Sequence, residues 1–164
     1  MNKKVVVVRY LLVCALIVGG YTLSIGHVAA SGSIGTQASA QPREDLRRFM
    51  QSKVHQEYTF LSYTIWHDHP LTPAKMDSIA ASSVKIIGLS KELTVYVAVY
   101  KEQGWSNEDV KLFEEKRLQL SRVAEELNRA ALRRDAREVH NFFTHLDSTC
   151  QSCHKRFRPD LQWL

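Results

Sequence analysis

The chain of 164 residues contains only three cysteines, and Cys150 and Cys153 are not matched by a second pair. A structural zinc site takes four ligands, usually from two such pairs, so that reading lacks half its donors, although spare histidines exist. A thioredoxin-like dithiol sits near a β-α-β pattern, and none precedes these residues. Also missing are a carboxylate pair set for acid–base work, a nucleophile with its base, and a glycine-rich loop able to cradle phosphate. No enzyme is expected on these grounds. The basic excess is thinner than it looks. The formal net charge is +5, but Lys3, Lys4 and Arg9 lie in a 40-residue leader with no acidic residue, and removing them leaves +2. Charges so nearly balanced and spread over helices are solvated faces, and no nucleic-acid partner is expected.

What is present is Cys150-Gln151-Ser152-Cys153-His154, a C-x-x-C-H run near the C-terminus. That spacing is the haem attachment site of c-type cytochromes. Each thiol can add to one haem vinyl group, and the adjacent imidazole is then held beneath the iron as its proximal ligand. Residues three and four apart project to one side of a helical turn, so both anchors and the ligand meet one flat macrocycle. A plain disulfide would leave His154 unexplained.

The N-terminus has the layout of a secretory signal. Basic residues precede an apolar run from Leu11 to Val18, weaker to Ile25, and small residues follow, with Val28-Ala29-Ala30 and Ala38-Ser39-Ala40 as candidate cleavage sites. Residues 1–30 are read as signal, with an uncleaved membrane anchor as the alternative. Cys14 follows Val13 rather than a small residue, so lipidation is discounted. Residues 31–42 read as a flexible tether, and 43–164 as one folded domain, expected in the periplasm or, if the leader is retained, held at the inner membrane.

From Arg43 the apolar period is helical. Leu46, Met50, Val54, Leu61 and Ile65 mark one stripe, ended by Asp68, His69 and Pro70. Thr72-Pro73 reads as an N-cap followed by proline at the first helical position. Met76, Ile79, Ala80, Ser83, Ile86 and Ile87 line a second helix. Residues 92–105, dense in Val and Tyr, are expected to be helix followed by an irregular segment, closed by Gly104. Ser106-Asn107-Glu108-Asp109 opens a third helix, lined by Val110, Phe113, Leu120, Ala124, Leu127 and Ala131. After a turn at Asp135 a fourth carries Val139, Phe142, Phe143, Leu146, Cys150, Cys153 and Phe157, stopped by Pro159. Short joins predict an all-α, antiparallel up-down-up-down four-helix bundle with the haem attached near the C-terminal end of helix four.

In that topology the start of helix one lies beside the end of helix four. Met50, about two turns into helix one on the core stripe, should face His154 across the haem as sixth ligand. The alternative is an ordinary core methionine. His55 lies about 140° around the helix from Met50 and should point elsewhere, Lys53 would need a lowered pKa to bind iron, and His67 and His69 sit at the opposite end. His140 and His145 are expected on the surface.

These features together resemble the class II c-type cytochromes, the cytochrome c prime family, whose members are exported four-helix bundles with a C-terminal C-x-x-C-H-x-x-(Phe/Tyr)-Arg motif. Here that motif runs from Cys150 through His154 to Phe157 and Arg158, and Phe49-Met50-Gln51-Ser52-Lys53 looks like the segment that supplies an axial methionine in low-spin members. The resemblance implies one covalently attached haem c, and electron transfer with redox partner proteins when the sixth site is filled. With that site open, members bind nitric oxide or carbon monoxide instead, and gas binding is the alternative function here. Homodimers through helix one are common in the family. Phe157 is expected to pack against the porphyrin, with core packing as the alternative or additional role. Arg158 either pairs with a propionate or favours the helix dipole from solvent. Trp163 is a candidate cover for a haem edge.

Overall fold

The computed structural model describes residues 41–158 apart from Gln103; the expected signal, nearly all of the tether, Pro159 and Trp163 lie outside them. Among the described residues every regular element is helical: α1 (Gln41–Phe49), a π-helical turn (Met50–Val54), α2 (His55–Trp66), α3 (Pro73–Glu92), α4 (Thr94–Glu102), α5 (Asn107–Leu132) and α6 (Ala136–Phe157). The first helix therefore begins at Gln41, two residues inside the expected tether. α1, the π-turn and α2 follow one another without a break and form the first rod of a four-helix bundle; α3, α5 and α6 are the other three.

The helix starts are where the capping residues predict them. The Thr72 hydroxyl accepts from the Lys75 amide ahead of Pro73, Ser106 Oγ accepts from Asp109 N at 3.0 Å, and Asp135 accepts from Glu138 N at 3.0 Å. Each satisfies a donor that the first turn leaves without an intrahelical partner.

Side-chain pairs fix the antiparallel register. Tyr58 and Trp66 of α2 meet Asp147 and His140 of α6 respectively. Glu57 of α2 takes Lys85 of α3 at 2.9 Å, and Lys53 takes Glu92 at 2.8 Å. Asn128 of α5 donates to the Ala80 carbonyl of α3 at 2.9 Å, and Arg134 beyond α5 pairs with Asp77. Phe113 of α5 meets Phe157 of α6. Leu61, Ile65, Met76, Ile79, Ile86, Leu127, Val139, Phe143 and Leu146 fill the space between, each almost wholly removed from solvent.

Three expectations need correcting. First, the helix expected within residues 92–105 does not simply continue the second: the chain breaks at Leu93 and starts a separate helix, α4, whose Tyr96, Val97 and Tyr100 pack inward with Leu93. Burial of those side chains overrides the strand preference of Val and Tyr. The chain kinks at Leu93, and Arg117 of α5 donates to the Ser90 carbonyl at 3.2 Å beside the kink. Gly104 closes α4 with φ +84. Second, Phe49 at 7 % exposure is buried more deeply than its neighbour Met50, because the π-turn shifts the helical stripe by one residue there. Third, His140 is half-buried rather than fully on the surface. Its ring stacks on His69 at 5.4 Å and lies 5.0 Å from Trp66, and its Nδ1 is buried without a hydrogen-bond partner. His145 is exposed, as expected.

Candidate haem site

The last two turns of α6 bring Cys150, Cys153 and His154 together, all partly buried. Both cysteines are free thiols. Burial pushes Cys150 up to about 12, with Asp147 and Cys153 adding to the effect; burial likewise pushes Cys153 up to about 11, against a lowering pull from Lys116. A catalytic or redox-active cysteine needs the opposite shift, toward thiolate. Burial pushes the His154 imidazole below its ordinary value, and Arg158 adds to that, so the neutral ring, the form that can bind a metal, is favoured. No cluster of three or more His, Cys, Asp or Glu side chains able to hold a metal ion is found among the described residues.

Aromatic rings wall this end of the bundle. Trp105, between α4 and α5, stacks on Tyr100 at 4.2 Å on one side and on Phe157 at 5.1 Å on the other, with interplanar angles of 10° and 9°. Phe113 meets both Trp105 and Phe157 edge-on. Burial raises the Tyr100 phenol to about 12, so it stays neutral there. Phe157 thus serves core packing, one of the two roles expected for it. Arg158 closes α6, its backbone N–H donating to the His154 carbonyl at 2.7 Å. Its charge is felt at Glu44 of α1 and at Tyr100. The start of α1 and the end of α6 therefore do lie at one end of the bundle.

Met50 packs against the edge of the core. The Tyr58 hydroxyl donates to Asp147 Oδ1 at 2.8 Å, one turn before Cys150, and the Tyr58 ring stacks on Phe143. Followed toward the N-terminus, that register brings Met50 to the level of the C-x-x-C-H turn. Yet no Cα of α1 or of the π-turn lies within 8 Å of a Cα of α6, whereas α2 packs against α6 directly and α1 packs against α4. The first rod thus parts from α6 just where the two cysteines and His154 are. Directly packed helices have axes only about 8–10 Å apart; a wider separation is what a macrocycle between them requires.

The family described as Cytochrome C' matches residues 73–158, from the first residue of α3 to Arg158. The chain belongs to the cytochrome c' family. No curated protein and no solved structure matches it. Proteins of this family carry a covalently attached haem c with its iron, and the residues present fit that group: two thiols and an imidazole on one helical face, a stand-off between α1 and α6, and an aromatic wall. The family match begins after α2, so α1, the π-turn and Met50 lie outside it. Sequence reasoning missed Tyr58, Tyr96, Tyr100 and Trp105 as residues of this end. The signal was available for Trp105 in the Gly104 and Ser106 that flank it, a tight turn next to an N-cap.

Proposed function

We propose that this cytochrome c' family member carries single electrons outside the cytoplasm, with its iron held by His154 and Met50. When bound, the haem supplies one-electron chemistry at its iron. The protein's own residues do the rest. Cys150 and Cys153 would anchor the group, and neutral His154 on α6 and Met50 on the first rod would hold its iron. A methionine ligand raises the reduction potential relative to nitrogen-only ligation. Tyr100, Trp105 and Phe113 keep water from this end, and Arg158 offers a charge-assisted donor to a propionate. The observation that carries the reading is the α2–α6 register, which sets Met50 level with the C-x-x-C-H turn at the point where the two rods separate.

The chain acts as a carrier, not a catalyst, and redox proteins are its partners; a homodimer through the first rod is compatible with this role. The leader directs it to the periplasm. No helix of the described residues is long and apolar enough to cross a membrane, so membrane attachment would depend on an uncleaved leader.

Carbon monoxide added to the reduced protein tests the assignment. A methionine-closed site binds the gas weakly and slowly, and Met50→Ala binds it at least tenfold more tightly. Equal, tight binding by both proteins would instead make this a gas-binding haem protein with Met50 as core.

A further inference from the structure

The residues Met50–Val54 contain neither proline nor glycine, yet they leave α-helical geometry: the His55 backbone N–H donates to the Met50 carbonyl, five residues back. A π-turn between α-helical ends inserts one residue, so everything before it is rotated by about 100° relative to a continuous α-helix. Such turns are rare, and they occur mostly as single turns inside α-helices, frequently at functional sites. Three ties hold this one. Ser52 Oγ donates to the Arg48 carbonyl at 2.7 Å, a back-bond that bends helices. Phe49, buried, packs on Tyr96 of α4 at 5.6 Å. Lys53 reaches Glu92 at 2.8 Å while its Nζ lies 5.1 Å from the centre of the Phe49 ring.

The turn is also where the first rod changes neighbours, from α6 along α2 to α4 along α1, as expected of a kink at a π-bulge. Met50 is its first residue. We infer that the π-turn sets the direction from which Met50 approaches the iron, and that Ser52 is a positioning residue for that ligation. This rests on the reading of Met50 as sixth ligand. A continuous α-helix would turn Phe49 and Met50 together away from their present places; the buried Phe49 contact with Tyr96 and the Ser52 bond favour the π-register.

The test compares four variants of the holoprotein: Met50→Ala, Ser52→Ala, Ser52→Thr and deletion of Gln51, whose side chain is exposed. Covalent haem content and far-ultraviolet circular dichroism establish that each folds. The readouts are the weak far-red band that methionine sulfur gives ferric haem, the midpoint potential, and the affinity for added imidazole. Deletion of Gln51 should abolish the band and match Met50→Ala. Ser52→Ala should weaken the band and tighten imidazole binding about fivefold, the factor one typical hydrogen bond supplies. Ser52→Thr keeps a hydroxyl able to reach the same carbonyl and should restore native values. If Met50→Ala loses the band while deletion of Gln51 and Ser52→Ala keep it, Met50 is the ligand and the π-turn does not place it. If Met50→Ala leaves the native spectrum unchanged, the ligand reading fails and the inference falls with it. Should the deletion variant not fold, Ser52→Ala and its Thr rescue decide alone.

Discussion

At one end of the bundle Trp66, His69, His140 and Phe143 close directly on one another, α2 against α6. At the other end Tyr100, Trp105, Phe113 and Phe157 form a comparable aromatic cluster, but it lies beside a separation between α1 and α6. The composition of the two ends is similar, and their helices differ. The closed end keeps regular helices joined by a short capped link, Thr72 before Pro73. The haem end spends its regularity: the first rod carries a π-turn, and α3 breaks at Leu93 to send α4 between α5 and α1. Direct helix packing fills a core with side chains alone. Room for a rigid cofactor needs helices held apart, and the π-turn and the break at Leu93 both lie at this end of the bundle.

The largest effect that would break the comparison falls at the haem end. Cys150→Ala combined with Cys153→Ala should abolish covalent attachment completely, seen as loss of haem staining on a denaturing gel, while the aromatic cluster at the closed end is untouched. Next comes the closed end. Phe143 is 1 % exposed and touches both Tyr58 and Trp66, so Phe143→Ala should cost about 3–5 kcal/mol in thermal or denaturant unfolding, with a reduced-haem spectrum unchanged at temperatures where the variant is folded. A spectral change as large as the loss of stability would show that the two ends are not separate.

The smallest effect concerns pH. Burial pushes His140 below its ordinary value of 6.5, and the nearby His69 adds to that. The folded protein therefore prefers neutral His140, and the unfolded chain binds more protons between the two values. Stability from this group is complete above pH 6.5 and is lost as pH falls through the folded value. His69 is the titratable group stacked on it, and Trp66 supplies an apolar side. His140→Phe should flatten the fall in thermal midpoint below pH 6.5; an unchanged slope would assign it to other groups.

Much of this was legible in the sequence. The C-x-x-C-H run, the caps at Thr72, Ser106 and Asp135, and the stripes from Leu61 to Ile65 and from Val139 to Leu146 depend on local spacing, which a linear chain displays directly. What escaped was set by packing between elements. The break at Leu93, which makes Thr94–Glu102 a helix of its own, depends on burying Tyr96 and Tyr100 against distant helices. The π-turn leaves little mark in Met-Gln-Ser-Lys-Val, because two of its three ties reach Tyr96 and Glu92 on other helices, and the third, from Ser52 to the Arg48 carbonyl, is a bond that serine makes in ordinary α-helices too. His140 read as a surface residue because its partner His69 belongs to a connection whose path the sequence does not show. Met50 is proposed as a ligand from topology, and Tyr58, which fixes the register behind that proposal, was passed over as an off-stripe aromatic.

The most direct measurement is the visible spectrum of the oxidised holoprotein, native and Met50→Ala. The account predicts a low-spin native spectrum with a weak far-red sulfur–iron band that disappears in the variant, together with a lower midpoint potential. A native protein that is already high-spin, with a spectrum the substitution leaves unaltered, would contradict it.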